Sequence, residues 1–326
     1  MSGTVLVTGA AGFIGFHLCR ALLAAGERVW GFDSLNDYYD PRLKAARLDI
    51  LCRSKRFRFT LGRLEDEAAV TKLFEEAAPA AVYHLGAQAG VRYSIENPRA
   101  YIETNLVGTF HILEALRRRP AEHLLFASSS SVYGDGAEPP FAVDADTDRP
   151  VSLYAATKKA DELMAYAYAK LYGIPATGLR FFTVYGPFGR PDMAYFSFTQ
   201  RILAGETIDV FNHGELMRDF TYIDDVVEGL TALKARPPAP DAQGARYKVY
   251  NLGNNRPEKL GDFIRALEEA LGREARIRYL PMQPGDVHVT AADISESAAD
   301  FGFAPKTGLR EGLKRFAEWY RSYYNV

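Results

Sequence analysis

Three groups of residues have types and spacings that could do chemistry. Tyr154 and Lys158 stand four apart in Tyr154-Ala-Ala-Thr-Lys158, so on a helix they share a face. An ammonium beside a phenol favours the phenolate, and a phenolate is a general base. Four hydroxyls, Ser128 to Ser131, directly follow the apolar run His123 to Ala127. That places them at the carboxyl end of a strand, the edge at which parallel sheets bind ligands, and hydroxyls there suit a sugar. Some of them, Ser128 above all, could equally cap the turn before Val132-Tyr133-Gly134.

The third group is Gly9-Ala-Ala-Gly12-Phe-Ile-Gly15. Its GxxGxxG spacing is a variant of the dinucleotide fingerprint, weak as a bare match but informative between a strand and a helix. Glycines there permit a tight turn and close approach of a pyrophosphate. Asp33 comes eighteen residues after Gly15, at the end of the next strand. A carboxylate at that place accepts from ribose hydroxyls and repels a 2′-phosphate, so the expected cofactor is NAD rather than NADP.

The elements that must position these groups read as an alternation. Thr4 to Val7 is a β-branched run, and Phe13 to Ala25 has helical spacing through Phe13, Phe16, Leu18, Leu22 and Leu23. Arg28 to Phe32 completes a βαβ unit. The pattern continues through Phe57 to Thr60, a helical Glu65 to Ala78, Ala80 to Leu85, a single helix over Tyr101 to Arg118 ended by Pro120, and His123 to Ala127. The expected fold is α/β: a Rossmann-type doubly wound parallel sheet with a smaller, mixed α/β substrate lobe. The division expected is 1–180 for the cofactor domain and 181–326 for the second lobe, with later segments returning to the first. The turn-rich Gly186 to Pro191 stretch precedes a helix over Phe196 to Leu203, the Pro-rich 236–244 stretch reads as an exposed connection, and Glu258 to Gly272 and Leu309 to Tyr324 read as surface helices.

Length and composition bound the rest. At 326 residues two lobes are expected. Lys and Arg number 39 against 41 Asp and Glu, a balance that argues against a nucleic-acid or anionic-membrane binder. No run approaches the roughly 18 apolar residues of a membrane span. Cys19 and Cys52 are the only cysteines; they form no metal-like cluster and fit a reducing, cytoplasmic setting. No targeting segment is expected ahead of Val5, and no metal is implied.

On these residues the chain resembles the extended short-chain dehydrogenase/reductase family and its nucleotide-sugar epimerase branch. The strings Ala87-Gln-Ala-Gly-Val-Arg92, Leu153-Tyr-Ala-Ala-Thr-Lys-Lys159, Leu179-Arg-Phe-Phe-Thr-Val-Tyr-Gly-Pro187, Gly189-Arg-Pro-Asp-Met-Ala194 and Arg218-Asp-Phe-Thr-Tyr-Ile-Asp-Asp225 resemble UDP-glucuronate 4-epimerases in particular. The resemblance implies Tyr154 as base, Lys158 as organiser and Ser129 as the hydroxyl on the sugar 4-oxygen. It implies tightly bound NAD, held by Gly9, Gly12, Phe13, Ile14, Gly15, Asp33, Asn36, Leu64, Leu85, Ala87, Gln88, Asn105, Tyr154 and Lys158. The UDP-sugar would be held by Arg92, Ser129, Ser130, Ser131, Tyr154, Thr183, Arg190, Phe211, Arg218, Gln283 and Asp286, with Ser130, Ser131 and Thr183 facing the sugar carboxylate.

The implied reaction oxidises C4, turns the 4-keto sugar and reduces it on the other face, interconverting UDP-glucuronate and UDP-galacturonate. Related dehydratases carry an Asp-Glu pair and related decarboxylases a Glu where this chain has serines, which disfavours both reactions. The alternatives are a UDP-glucose or UDP-N-acetylglucosamine 4-epimerase, a UDP-glucuronate decarboxylase, and a non-enzymatic NAD sensor, the last disfavoured by the presence of Tyr154 and Lys158. A homodimer through Tyr101 to Arg118 and Tyr154 to Tyr172 is also implied. One departure is Gly62-Arg63-Leu64, where the family has Gly-Asp-Leu with the Asp near the adenine amino group. The missing acceptor is expected to cost about 0.5–1.5 kcal/mol of NAD binding.

Overall fold

The computed structural model describes residues 3–282 and 288–326. In chain order the first part runs β1 (Thr4–Thr8), α1 (Phe13–Ala24), β2 (Arg28–Asp33), α2 (Pro41–Cys52), β3 (Phe57–Leu61), α3 (Glu67–Ala77) and β4 (Pro79–His84). Two short turns, α4 (Tyr93–Glu96) and α5 (Pro98–Tyr101), lead through a π-helical stretch, Ile102–Val107, into α6 (Gly108–Arg118). Then come β5 (His123–Ser129), a 3₁₀ turn over Ser130–Tyr133, α7 (Leu153–Tyr172) and β6 (Ala176–Phe181). The remainder is β7 (Thr183–Tyr185), α8 (Ala194–Ala204), β8 (Thr207–Phe211), β9 (Met217–Tyr222), α9 (Ile223–Leu233), β10 (Tyr247–Leu252), β11 (Pro257–Lys259), α10 (Leu260–Leu271), β12 (Arg276–Leu280), α11 (Ser295–Phe301) and α12 (Leu309–Tyr324).

Seven strands form one sheet in the order β10-β6-β5-β4-β1-β2-β3, and every neighbouring pair is parallel. Helices cover both faces, which is why β1 is apolar at successive positions: Val5 and Val7 enter the core layer with Phe16 and Leu18, while Leu6 enters the other with Val82 and Phe126. The order reverses between β1 and β4, leaving a crevice beyond their carboxyl ends. The seventh strand, β10, comes from late in the chain. Two smaller sheets, β11-β9-β7 and β12-β8, lie outside the large one.

Two elements differ from the sequence expectation. The helix expected over Tyr101 to Arg118 is interrupted by the π-helical stretch. Its Asn105 is wholly buried, and its amide bridges Gln88 and α7; a wider turn at such a place is a common local solution. The β5 strand also runs two residues further than its apolar pattern, because Ser128 and Ser129 pair with Arg180 and Phe181 of β6. Only Ser130 and Ser131 then lie in the turn. Helix α2 was not among the expected elements, although Asp40 caps it by accepting from Arg42 N at 3.0 Å and Pro41 opens it.

Candidate active site

A cavity of about 880 Å³ lies beyond the carboxyl ends of β1, β2, β4, β5 and β6. The glycine turn forms its floor. A Cβ on Gly15 would stand 2.1 Å from Gly9 O, and Gly9 itself has φ +70° with its Cβ position 2.8 Å from Gly86 N. Side chains are therefore excluded by the protein's own backbone. Gly12 caps α1 without a side-chain hydrogen bond, so the first-turn N–H groups at Phe13, Ile14 and Gly15 lack intrahelical acceptors and face the cavity rim as an anion cradle. Asp33 at the end of β2 lines the same space; its Oδ2 accepts from Ala11 N at 3.1 Å and its Oδ1 from Leu35 N at 2.9 Å. Those bonds hold the carboxylate at the ribose end of a cradle that fits a dinucleotide.

Asn36, Leu64, Leu85, Ala87 and Gln88 also line the cavity. Arg63 lines it too, with its Nε donating to Glu65 Oε1 at 2.6 Å. Asn105 does not. It stands behind the wall, accepting from Gln88 N at 2.8 Å and donating to Gln88 O at 3.1 Å and Thr157 Oγ1 at 2.9 Å. With its amide spent on protein partners, its direct effect is to fix the turn after β4 against α7.

The second side of the cavity carries hydroxyls. Ser129 Oγ donates to Ser131 Oγ at 3.1 Å and accepts from Ser131 N at 3.2 Å, so the turn is built around it. Ser130, Ser131 and Thr183 line the cavity with it. Ser128 lines the cavity as well, but its hydroxyl is committed to buried Glu162, to which it donates at 2.6 Å. Glu162 in turn takes two bonds from Arg180, whose Nη1 also donates to Tyr133 OH and Val143 O. This buried pair fastens α7 to β6 directly beneath the serines.

Helix α7 starts at Ser152, whose hydroxyl accepts from Ala155 N at 3.1 Å, so the cap sets where Tyr154 emerges. Tyr154 lines the cavity, with the Tyr101 ring edge-on at 6.0 Å. One turn on, Lys158 is 3% exposed and stands behind the wall; its ammonium donates to Ala127 O at 3.0 Å and Asp161 Oδ2 at 2.9 Å. Burial pushes the Asp161 carboxyl up, against the pull of Lys158. His84, between Thr8 Oγ1 at 2.8 Å and Thr109 Oγ1 at 3.1 Å, is driven down to about 3 by burial and by the Lys158 charge, so it is a neutral ring.

Opposite these groups, Arg190 donates to Asp192 from Nε at 3.1 Å and Nη2 at 2.5 Å. Tyr38 OH adds a bond to Asp192 Oδ2 at 3.2 Å, and burial and Asp192 push that phenol up to about 12. The Arg92 guanidinium lies 5.4 Å over the Phe211 ring, and Arg218 donates to Met217 O at 2.9 Å; all three side chains reach the cavity. Gln283 and Asp286 lie outside the described residues. Sequence reading gave no site role to Tyr38, in a polar loop, to Asp192, which stood only as part of the string Gly189 to Ala194, or to Tyr101, which read as the start of a helix. No group of three or more His, Cys, Asp or Glu suited to a metal occurs among the described residues.

A parallel doubly wound sheet, a glycine cradle at its switch point and a Tyr-Lys pair beside it are the features of a dinucleotide-dependent enzyme. The chain belongs to the NAD dependent epimerase/dehydratase family, whose profile matches residues 5–253. It is 49% identical over 334 residues to UDP-glucuronate 4-epimerase 3 of Arabidopsis thaliana, covering 99% of this chain and 77% of that one. It is 47% identical over 331 residues to a probable UDP-glucuronate 4-epimerase of Rhizobium meliloti, covering 98% and 97%. A crystal structure of the UDP-glucuronic acid 4-epimerase of Bacillus cereus with UDP-glucuronic acid and NAD superposes with a TM-score of 0.91 at 33% identity, covering 98% of this chain and all of that one.

Proposed function

We propose that this protein is an NAD-dependent UDP-glucuronate 4-epimerase. The observation that carries the reading is the wall of neutral donors, Ser129, Ser130, Ser131 and Thr183, lining one cavity with the glycine cradle and Tyr154. A sugar carboxylate leaving water needs several donors and no competing anion. NAD, when bound in the cradle, supplies the hydride acceptor and donor for C4. Tyr154 takes the C4 hydroxyl proton on its phenolic oxygen, directly or through Ser129, and returns one after the 4-keto sugar has turned. Lys158, on the same helix, holds the cation that favours phenolate. Arg92, Arg190, Phe211 and Arg218 then form the nucleotide and loop side of the site, with charge-assisted bonds from arginine to phosphate.

The test is incubation of the purified protein with UDP-glucuronate and no added NAD. UDP-galacturonate is expected, with little UDP-pentose. Turnover of UDP-glucose with UDP-glucuronate left untouched would remove the carboxylate assignment.

The same reading includes a homodimer. Ile102, Val107 and Phe110 on one helical segment and Leu163, Leu171 and Tyr172 on α7 are exposed large apolar side chains, and α6 packs on α7. A second copy of this surface is the partner that matches it, with light scattering the measurement. No helix among the described residues is long and apolar enough to cross a membrane; a cytoplasmic setting is supported by two thiols that are both free. The domain division at about residue 180 is supported by the two small sheets, with β10 crossing back.

A further inference from the structure

The loop from Gly186 to Asp192 carries Arg190 and Asp192 to the cavity. Its own backbone does not favour that path, since Phe188, a bulky residue, has φ +55°. Something outside the loop must hold it. Three successive carbonyls do so by accepting from helices that belong to the cofactor side of the sheet. His17 Nε2 of α1 donates to Pro187 O at 2.8 Å. Arg47 of α2 donates from Nη2 to Phe188 O at 2.7 Å and Gly189 O at 3.0 Å.

The other end of the same guanidinium reaches the cofactor turn. Arg47 Nη1 donates to Ala11 O at 2.7 Å and to Tyr39 OH at 2.7 Å. Ala11 N is the donor to Asp33. A continuous path of hydrogen bonds therefore runs from Asp33 through Ala11 and Arg47 to the residues flanking Arg190.

Arg47 is wholly buried, its four acceptors are all neutral oxygens, and its Nε has no partner. For packing alone an apolar side chain of similar volume would serve as well or better. The arrangement fits a geometric task instead: a planar fork spanning two segments that no apolar side chain could bridge.

We propose that Arg47 is a positioning residue for epimerisation, locking the Arg190 loop to the dinucleotide turn so that sugar and cofactor keep one register. The inference rests on the epimerase reading given above. Its consequence concerns the 4-keto intermediate, a β-keto acid. If the C5–C6 bond breaks, CO₂ leaves, the bonding pair moves toward the C4 oxygen as an enolate, C5 takes a proton from water, and the 4-keto pentose takes back at C4 the hydride removed in the first step, giving UDP-pentose. A loop that rocks against the cofactor slows re-reduction and gives that reaction time.

The experiment compares Arg47→Met and Arg47→Lys with the parent protein, after checking folding by circular dichroism and bound NAD by chromatography of the denatured protein. With UDP-glucuronate, kcat is expected to fall roughly 10- to 100-fold with KM changed much less, and the ratio of UDP-pentose to UDP-galacturonate to rise several-fold. Lys, which keeps the charge but not the fork, should show the same change of ratio in weaker form. A folded, NAD-loaded Arg47→Met with the parent's kcat, KM and product ratio overturns the proposal. Should Met not fold, an unchanged ratio in Arg47→Lys overturns it equally. If the parent acts only on UDP-glucose, the substrate reading fails, while the fall in kcat with little change in KM on that sugar still decides the role of Arg47.

Discussion

Tyr154 and Thr183 line one cavity, yet they are assigned to different atoms of the sugar, so their removal should separate chemistry from recognition. Tyr154→Phe keeps the ring against Tyr101 and deletes only the proton-carrying oxygen. Turnover is expected to drop by about 10²–10⁴ while NAD and UDP stay bound, measured by product formation and by the nucleotide released on denaturation. Undiminished epimerisation would remove Tyr154 as the base. Thr183→Val deletes one donor to a charged acceptor, worth about 1.5–3 kcal/mol, and should lower kcat/KM for UDP-glucuronate by roughly 10- to 100-fold. Activity on UDP-glucose should hardly move; equal losses on both sugars would mean that Thr183 does not face the carboxylate. The place of Tyr154 on the cavity was legible in its YxxxK spacing, and that of Thr183 only in the resemblance of the string Leu179 to Pro187 to a known family. Arg47 and Asp161 were not, because their meaning lies wholly in partners distant in sequence or in a burial that no spacing reveals.

At the level of elements, the regular alternation of apolar runs and helical spacing made the parallel sheet readable, since strands buried on both faces must be apolar throughout. The interruption of the helix before α6 was not readable, because a π-helical turn costs no apolar position and leaves Ile102, Leu106, Phe110 and Leu113 still looking like one stripe. Nor was the attachment of α7 to β6. Glu162 appears in the sequence as one more helical acid, but it meets Arg180 with both side chains about 5% exposed. Removing one member leaves the other buried without its countercharge. Arg180→Met alone should therefore destabilise the protein by about 3–5 kcal/mol, read from urea unfolding. Glu162→Leu placed in the same chain should restore much of the loss, since an apolar pair costs no charge burial. A double variant as unstable as the single one would mean that the bonds from Arg180 to Tyr133 and Val143, not the ion pair, hold β6 in place.

For the whole molecule, a net charge of −2 is a poor guide to an anionic ligand, because the cavity balances its own charges. Lys44, Arg63, Arg92, Arg190 and Arg218 share its lining with Asp33, Glu65, Glu96, Asp192 and Asp209. Charge balance enters stability in another way, through histidines that the fold keeps neutral. Burial lowers His17 and His84 to about 3 and His123 to about 4. Each ring is used as a neutral hydrogen-bonding group: His17 on Pro187 O, His84 between two threonines, and His123 on Thr177. In the unfolded chain these rings take up protons near 6.5. Below that pH the unfolded state binds more protons than the folded one, so stability present at neutral pH is lost as the solution is acidified. Each ring contributes about 1.4 kcal/mol per pH unit below 6.5, or about 4 kcal/mol for the three at pH 5.5. The Asp161 and Asp219 carboxyls, which burial raises, oppose this only where they themselves titrate. Urea midpoints at pH 7.5 and 5.5 should therefore differ clearly, with the acidic sample less stable. His123→Asn, which keeps a hydrogen-bonding side chain without the titration, should reduce the difference by about a third. A midpoint that does not move between the two pH values would mean that these rings take up protons in the folded protein, with any ring nitrogen that accepts from Thr8, Thr109 or Thr177 donating instead.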